Sequence, residues 1–466
     1  VSLNPYNPQH DPLVTPDPGN NQHYSPSYWV ASAGTPPEDD GPVKADMDVD
    51  VVIVGSGATG MATAYYLAHD HGIAATVLEA NQVAWGCSSR SGGQGQNASG
   101  RLSRRQWIER WGLDTAKKLD TEIRTGFEDF KELTRDIDCD AFDGGHLYIA
   151  HRPHKVDYLK IEHEVRNKVF GYDTRMMTAA EVHEEYCDDR DTQAALLEKE
   201  GVGIHPLKFT FGLMRKARAL GVKVHPGSPV KGWQTINGVH HLQTPGGVVR
   251  AKRVLLCTGG YTGQHLNPLV KNKILPILSN SVVTRPLTSA EIEATKFKSQ
   301  TFLTDTRTLR FYYRLLKDNR LQLGSRSSIT GADAEHLVHL KLLTDAIARK
   351  FPPLAGIPIE HSWWGWVDVS HDMMPRIVQP DPKQTIWHSI GYGGNGVSFS
   401  TWAGKRLAQR AVGADKDKEV FQLPIYNSPL EYPNIMGKVR SELFAPFRRL
   451  GQRALYKWYW LRDEKI

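Results

Sequence analysis

Val51-Val52-Ile53-Val54-Gly55-Ser56-Gly57-Ala58-Thr59-Gly60 is the stretch on which the fold turns. Four consecutive apolar residues suit a strand buried on both faces. They run into a GxGxxG pattern that predicts a helix from Gly57 to about Ala68. Each glycine meets a physical requirement: Gly55 a tight turn, Gly57 the approach of a pyrophosphate to the backbone, Gly60 close packing of helix on strand. With Ser56, Ala58 and Thr59 in the turn, the helix N-terminus offers unpaired N–H groups and a positive dipole to phosphate. Thr76-Val77-Leu78 reads as the second strand of a βαβ unit. Glu79, followed by Ala80, stands where an acid accepts hydrogen bonds from ribose hydroxyls, which argues against a 2′-phosphorylated dinucleotide.

Two further strand-to-glycine turns lie far away in sequence. Arg253 to Cys257 is a short apolar run leading into Thr258-Gly259-Gly260. Ile386 to Ile390 leads into Gly391-Tyr392-Gly393-Gly394-Asn395-Gly396-Val397, with a helix from about Ser400. Three such units predict one nucleotide domain assembled from discontinuous pieces, with the intervening segments forming a second. Arg310 to Ser325 reads as two strands of that second domain, turning at Asp318-Asn319. Between Glu79 and Gln94 lies Trp85-Gly86-Cys87-Ser88-Ser89-Arg90-Ser91-Gly92-Gly93-Gln94, a small-residue loop around one arginine. Such a loop wraps a second phosphate and lets backbone approach a flat ring, which a nicotinamide site does not need.

The 466 residues carry a net charge of +6 and 40% hydrophobic residues, enough for large folded cores. No run of 18 uncharged apolar residues predicts a membrane span. The N-terminal stretch is polar and Pro-rich, without the basic and apolar regions of a secretory signal. Four separated cysteines, Cys87, Cys139, Cys187 and Cys257, exclude a zinc ribbon or disulfide scaffold and suit a reducing cytoplasm. Residues 1–46 hold nine of the 27 prolines and read as an extended arm, with Tyr24, Tyr28 and Trp29 favouring strapping over the body. Basic residues scattered among acids, with no RNA-binding motif, argue against nucleic acid. Residues 438–466 hold eight basic residues against three acids, +5 of the total +6. Leu443, Phe447, Leu450, Ala454, Trp458 and Leu461 give that tail one apolar helical face. Such a helix suits an anionic membrane surface, or docking on the protein's own body or on a sister subunit.

Together these motifs resemble the FAD-dependent D-amino-acid oxidase superfamily, which includes glycine and sarcosine oxidases. The similarity runs from Ser27-Tyr28-Trp29 to Leu461-Arg462-Asp463 and includes Tyr312-Tyr313-Arg314 and Asp318-Asn319-Arg320. It is strongest toward the branch that oxidises gamma-glutamylated polyamines. The resemblance implies an α/β fold: a doubly wound, Rossmann-like FAD domain and a mixed-sheet substrate domain of α+β type. The expected division is 1–46 arm; 47–150, 201–262 and 361–425 FAD domain; 151–200 and 263–360 substrate domain; 426–466 tail.

By resemblance, Ser88, Arg90, Ser91, Gly92, Gly93 and Gln94 hold the pyrophosphate and the ring's surroundings. Val230 meets adenine, Thr258 and Gly259 line the cofactor, and Gly393, Gly394, Asn395, Gly396 and Val397 meet the flavin's pyrimidine end. Ser91 and Asn395 depart from the residues common in relatives. With no cysteine after Cys257 and no histidine in the Trp85–Gln94 loop, the FAD is expected to be non-covalent.

The implied reaction oxidises a C–N bond: hydride passes from a neutral amine to flavin N5, and the imine is hydrolysed. The expected substrate is a gamma-glutamylated polyamine or related amino-acid-derived amine, with O2 or a quinone as acceptor. The alternative is a membrane-associated dehydrogenase of pipecolate, N-methyl or D-amino acids that passes electrons to quinone. No catalytic base is assigned and no metal site is expected. Tyr312 and Arg314, on one face of a strand, and Trp364 and Trp366, spaced by two, are the candidate substrate-binding residues. A homo-oligomer is compatible with the sequence.

Overall fold

The computed structural model describes residues 11–13, 18–263, 265–414, 418–431 and 447–465. Met47–Val54 is a central strand of an eight-stranded sheet, flanked in parallel by Thr76–Leu78 and Gly247–Leu256. Val52, Ile53 and Val54 align with Thr76, Val77 and Leu78 on one side and with Val254, Leu255 and Leu256 on the other. Lys223–His225 and Ile386–Ile390 extend the parallel core. A register shared by all these strands brings their carboxyl ends to one edge, so Gly55, Glu79, Thr258 and Gly391 gather there although some 330 residues separate first from last.

Alternation along Met47–Val54 sorts its apolar residues into two cores. Val51 and Ile53 join the cluster with Met61, Leu67 and Leu213, from the helices Ala58–His71 and Pro206–Ala219. Val52 and Val54 face Leu242, Val254 and Leu256 on the other side. The helix Ala58–His71 stops at Gly72, whose φ of +67° places it in the left-handed region where its N–H can bond Ala68 O. Phe399–Ala411 packs beside it, consistent with the expected helix near Ser400.

A second eight-stranded sheet runs, in spatial order, Ile359–Val369, Leu275–Pro286, Arg320–Ser325, Tyr312–Leu315, Phe302–Asp305, His146–Ala150, Ala194–Glu198, Thr174–Thr178. Every pairing is antiparallel except Phe302–Asp305 with His146–Ala150. The expected hairpin turns at Asn319, with φ +62°. Two sequence boundaries move. His146–Ala150, placed in the first nucleotide segment, pairs within the second sheet. Ile359–Val369, placed mostly in the last nucleotide segment, pairs along its length with Leu275–Pro286. Apolar alternation marks a strand but not the edge it will join, so sequence could not choose between the sheets.

The described part of the arm is strapped on, residues 1–10 and 14–17 lying outside the described residues. Ser27 Oγ donates to Ser89 O (2.8 Å), Trp29 Nε1 to Ser91 O (2.7 Å), and Tyr24 Oη to Val83 O (2.6 Å). Trp85 Nε1 donates back to His23 O (2.8 Å). The arm thus supplies partners to the loop that the sequence assigned to the cofactor.

In the tail, Leu443 lies outside the described residues, and Arg448–Glu464 is a helix. It docks through its polar face. Arg449 pairs with Asp11 (2.6 Å), Arg453 with Asp333 (3.1 Å), and Glu464 with Arg307 (2.5 Å), while Thr308 N–H donates to Asp463 (2.6 Å). The expected apolar face points outward, leaving Phe447 60%, Leu450 64% and Trp458 53% exposed. Two of the tail's eight basic residues, Arg449 and Arg453, are thus paired with acids of the body. Among the described residues no helix is long and apolar enough to cross a membrane.

Trp29 is 1% exposed and packs edge-on against His205. Trp29→Ala is expected to cost about 3–5 kcal/mol in urea unfolding. Trp29→Phe, which keeps most packing but leaves Ser91 O without its donor, should cost about 1 kcal/mol. Both variants should release cofactor more readily than the parent in gel filtration.

Candidate active site

At the gathered strand ends lies a cavity of about 360 Å³. Its first wall is the Gly55–Thr59 turn. Gly55 adopts φ +103°, and a Cβ there would stand 2.6 Å from Cys257 O. A Cβ on Gly60 would stand 1.9 Å from Gly55 O, so only glycine lets the helix begin this close to the strand. Gly57 caps the helix without a side chain, and Ala58 N–H meets Ser88 Oγ at 2.9 Å. The first helical N–H groups therefore face the cavity beside a hydroxyl, an arrangement that fits a phosphate.

Gly55, Gly57, Ala58 and Thr59 line this wall, with Ser56 and Gly60 set behind it. Glu79 and Ala80 continue the lining. The Glu79 carboxylate accepts from Ser56 N–H (3.0 Å), Ser56 Oγ (2.7 Å) and Asn81 N–H (3.0 Å). Of a carboxylate's roughly four acceptor positions, this leaves one for a ribose hydroxyl. Val230 lines the same end, and Thr258 and Gly259 follow.

The 85–94 loop forms the next wall. Ser88, Arg90, Ser91, Gly92 and Gln94 reach the cavity, and Gly93 sits behind them. Arg90 is placed differently from expectation: its Nη1 donates to Trp85 O, to Gly86 O (3.0 Å) and to Tyr261 Oη (2.9 Å). Its guanidinium also stacks 4.4 Å over Trp85. The tight loop turns carbonyls inward, and Arg90 Nη1 satisfies them from its place on the cavity wall.

Gly394, Asn395, Gly396 and Val397 line the far wall, with Gly393 behind. Asn395 Nδ2 donates to Gly100 O (2.6 Å), and Tyr392 Oη meets Thr59 Oγ1 (2.9 Å), tying this turn to the first. Cys87 and Cys257 also line the cavity, but burial pushes both thiols up to about 12. They are protonated and poor nucleophiles. The chain's glycine turns, its open helix N-terminus and the remaining Glu79 acceptor together fit FAD.

Of the candidate substrate residues, Tyr312 and Trp366 line the cavity. The Tyr312 ring fits between Gly92 and Gly324, where added Cβ atoms would stand 3.0 and 2.2 Å from it, and its hydroxyl meets Ser279 (3.0 Å) and Ser281 (2.8 Å). Burial raises its pKa, which keeps it a neutral phenol. Arg314 shares the Tyr312 face but lies off the cavity, donating to Ile204 O (2.6 Å) and stacking on Trp29. Two residues along a strand is about 7 Å, enough to carry its head under the 92–93 loop. Trp364 packs in a core with Trp85, Tyr261 and Leu278.

Sequence reading missed Asp368, Arg101, Arg310 and Arg326, all on the cavity wall. The two-residue alternation that named Trp364 and Trp366 continues to Asp368. Arg310 and Arg326 stand at the two open ends of the Tyr312–Ser325 hairpin, and Arg101 comes from a distant segment, with no local pattern linking the three.

Asp368 Oδ2 accepts Gly391 N–H (2.6 Å), and its carbonyl accepts Gly393 N–H (2.8 Å), so it pins the late glycine turn. Burial pushes its carboxyl up to about 6. The native state therefore binds this proton more tightly than the unfolded chain, and the group's contribution to stability falls as pH rises from about 4 through 6. Asp368→Asn, which keeps an acceptor for Gly391, should unfold at higher urea at pH 7.5, by up to about 3 kcal/mol. That gain should vanish below about pH 4.

A family profile described as FAD dependent oxidoreductase matches residues 50–410. The chain is 31% identical over 448 residues to gamma-glutamylputrescine oxidoreductase of Escherichia coli (strain K12), covering 94% of this chain and 98% of that one. It is 28% identical to a probable oxidoreductase, OrdL, of Haemophilus influenzae, covering 83% and 87%. Its fold resembles the crystal structure of L-proline dehydrogenase from P. horikoshii, with TM-score 0.66 at 19% identity, covering 83% of this chain and 98% of that one. With that profile spanning most of the chain and the glycine turns assembled around one cavity, the protein belongs to the FAD-dependent oxidoreductase (DAO) family, and FAD is its cofactor.

Proposed function

We propose that the protein oxidises a C–N bond in an amino-acid-derived amine, of which a gamma-glutamylated polyamine is one member, using non-covalently held FAD. The observation that carries this reading is the continuity of the cavity. It runs from the Gly55–Thr59 phosphate wall to a chamber edged by Tyr312, Ser279, Thr304 and Asn395. Similarity to gamma-glutamylputrescine oxidoreductase supports the amine. Bound FAD supplies acceptance of two electrons from the C–N bond. The chain's own part is to position and to exclude water. The Tyr312 hydroxyl, held by Ser279 and Ser281, offers a fixed polar contact, and Trp366, fully buried, closes the wall beside it. Asp368 holds the Gly391–Gly394 turn in place. The reacting amine must be neutral, so the rate is expected to rise with pH through the bound amine's pKa.

An anaerobic screen of amines and amino acids, read as loss of flavin absorbance, tests the reading. Bleaching by amino-acid-derived amines is expected, and no bleaching by any of them would overturn it. Acid precipitation should leave a colourless pellet and a yellow supernatant.

The outward apolar stripe of Arg448–Glu464 favours a second feature: contact with an anionic membrane surface and a quinone acceptor. Exposed Phe447, Leu450 and Trp458, with Lys457 and Lys465 beside them, support it. Sedimentation with anionic liposomes, lost in Leu450→Glu/Trp458→Glu, is expected, together with reoxidation by quinone faster than by O2. Failure to sediment would remove the membrane version and leave the amine oxidation intact.

A further inference from the structure

Three arginines on the cavity wall are without an acid. Other arginines meet acceptors of the fold: Arg104 pairs with Asp120, Arg307 with Asp305 and Arg376 with Asp372, each at 2.5 Å, while Arg90 and Arg314 donate to backbone carbonyls. Arg101, Arg310 and Arg326 line the cavity and form no ion pair among the described residues. Arg101 packs its stem against Gly393, and Arg326 Nη2 donates to Gly393 O at 3.1 Å. Arg310 lies 5.6 Å over the Tyr148 ring, and its Nε is buried without a hydrogen bond. The charges bearing on Arg101 are those of Arg326 and Arg310, and burial with that repulsion lowers the pKa of Arg101 and Arg326. From the docked tail helix, Tyr456 approaches Arg101 and Arg326 with its hydroxyl buried and unpartnered.

Like charges gathered on one half-buried wall are costly unless an anion completes them. FAD phosphates do not account for the cluster, because their place is the helix N-terminus at Gly57–Ala58, beside Ser88. Assigning Arg326, which touches the Gly393–Gly394 turn, to the cofactor's pyrimidine end still leaves two guanidiniums. A zwitterionic amino-acid head presents one carboxylate, and a guanidinium takes one carboxylate bidentately.

We propose that Arg101, Arg310 and Arg326 form a dianion-recognition site, so that the substrate class is an amino acid bearing a second carboxylate near its amine, such as an imino diacid. Tyr456, behind Arg101 and Arg326, ties the tail helix to the same cluster. This rests on the amine-oxidation reading for the identity of the reacting group and narrows its substrate to a diacid, which leaves out a gamma-glutamylated polyamine.

The test uses FAD-loaded enzyme and non-oxidisable probes, read as perturbation of the flavin spectrum. Succinate and glutarate are expected to bind at least about tenfold more tightly than butyrate. Arg310→Gln should erase that gap while leaving butyrate binding within about twofold. Because Arg310 is unpaired, the ligand-free variant should melt no lower than the parent, and added succinate should no longer raise its melting temperature. Arg326→Gln serves as a second variant and should also narrow the gap. Equal binding of mono- and dicarboxylates by the parent, or an unchanged gap in both variants, would overturn the proposal. Dicarboxylate binding without oxidation of any amine would keep the site and remove the oxidation reading. Amine oxidation without dicarboxylate preference would do the reverse.

Discussion

Everything else in this molecule depends on the close approach of backbone at Gly55 and Gly60. A Cβ at Gly60 would stand 1.9 Å from Gly55 O, so the strand can end and the helix begin within one turn only with glycine at both places. Gly55 N–H bonds Leu78 O, and Cys257 N–H bonds Val54 O, which ties the turn to the strands on either side. The helix N-terminus is thereby aimed along the carboxyl edge of the sheet, where its dipole and free N–H groups can act on an anion. The later glycine turns matter because the parallel register delivers them to this same edge.

The loop that wraps this edge has little regular structure of its own and is held from two directions. On the outside, the arm supplies Ser27, Trp29 and Tyr24 as donors to carbonyls at Ser89, Ser91 and Val83. On the inside, Arg90 donates to the Trp85 and Gly86 carbonyls, which would otherwise be buried unpaired, and to Tyr261 Oη. Cofactor-site shape in this protein therefore rests on a segment whose composition alone reads as incapable of folding. The arm is ordered by the body it covers.

The tail shows the same dependence with the polarity reversed. A helix with a clear apolar stripe would ordinarily bury that stripe. Here it docks through Arg449, Asp463 and Glu464, because the surface it meets offers Asp11, the Thr308 N–H and Arg307. The result places Tyr456 over the arginines and leaves Phe447, Leu450 and Trp458 outside. One short helix thus meets the body on one face and the surroundings on the other.

The linear chain by itself determined the nucleotide fold and many of the residues that line the cavity. Strand, glycine turn, helix and acid are local patterns, and Gly55–Gly60, Glu79, the 85–94 loop and Gly393–Val397 could each be read within a short window. Only the tertiary structure decided which sheet His146–Ala150 and Ile359–Val369 would join, since alternation reports burial but not partner. It also decided that Arg314 would support a loop while Arg101, Arg310 and Arg326 would share a chamber. Arg310 and Arg326 flank one hairpin, but Arg101 lies some 200 residues earlier, and the charge of an arginine carries no mark of the neighbours it will meet. Local patterning fixes elements because its physics acts over one or two turns. A substrate site is set by groups that become neighbours only when distant segments pack.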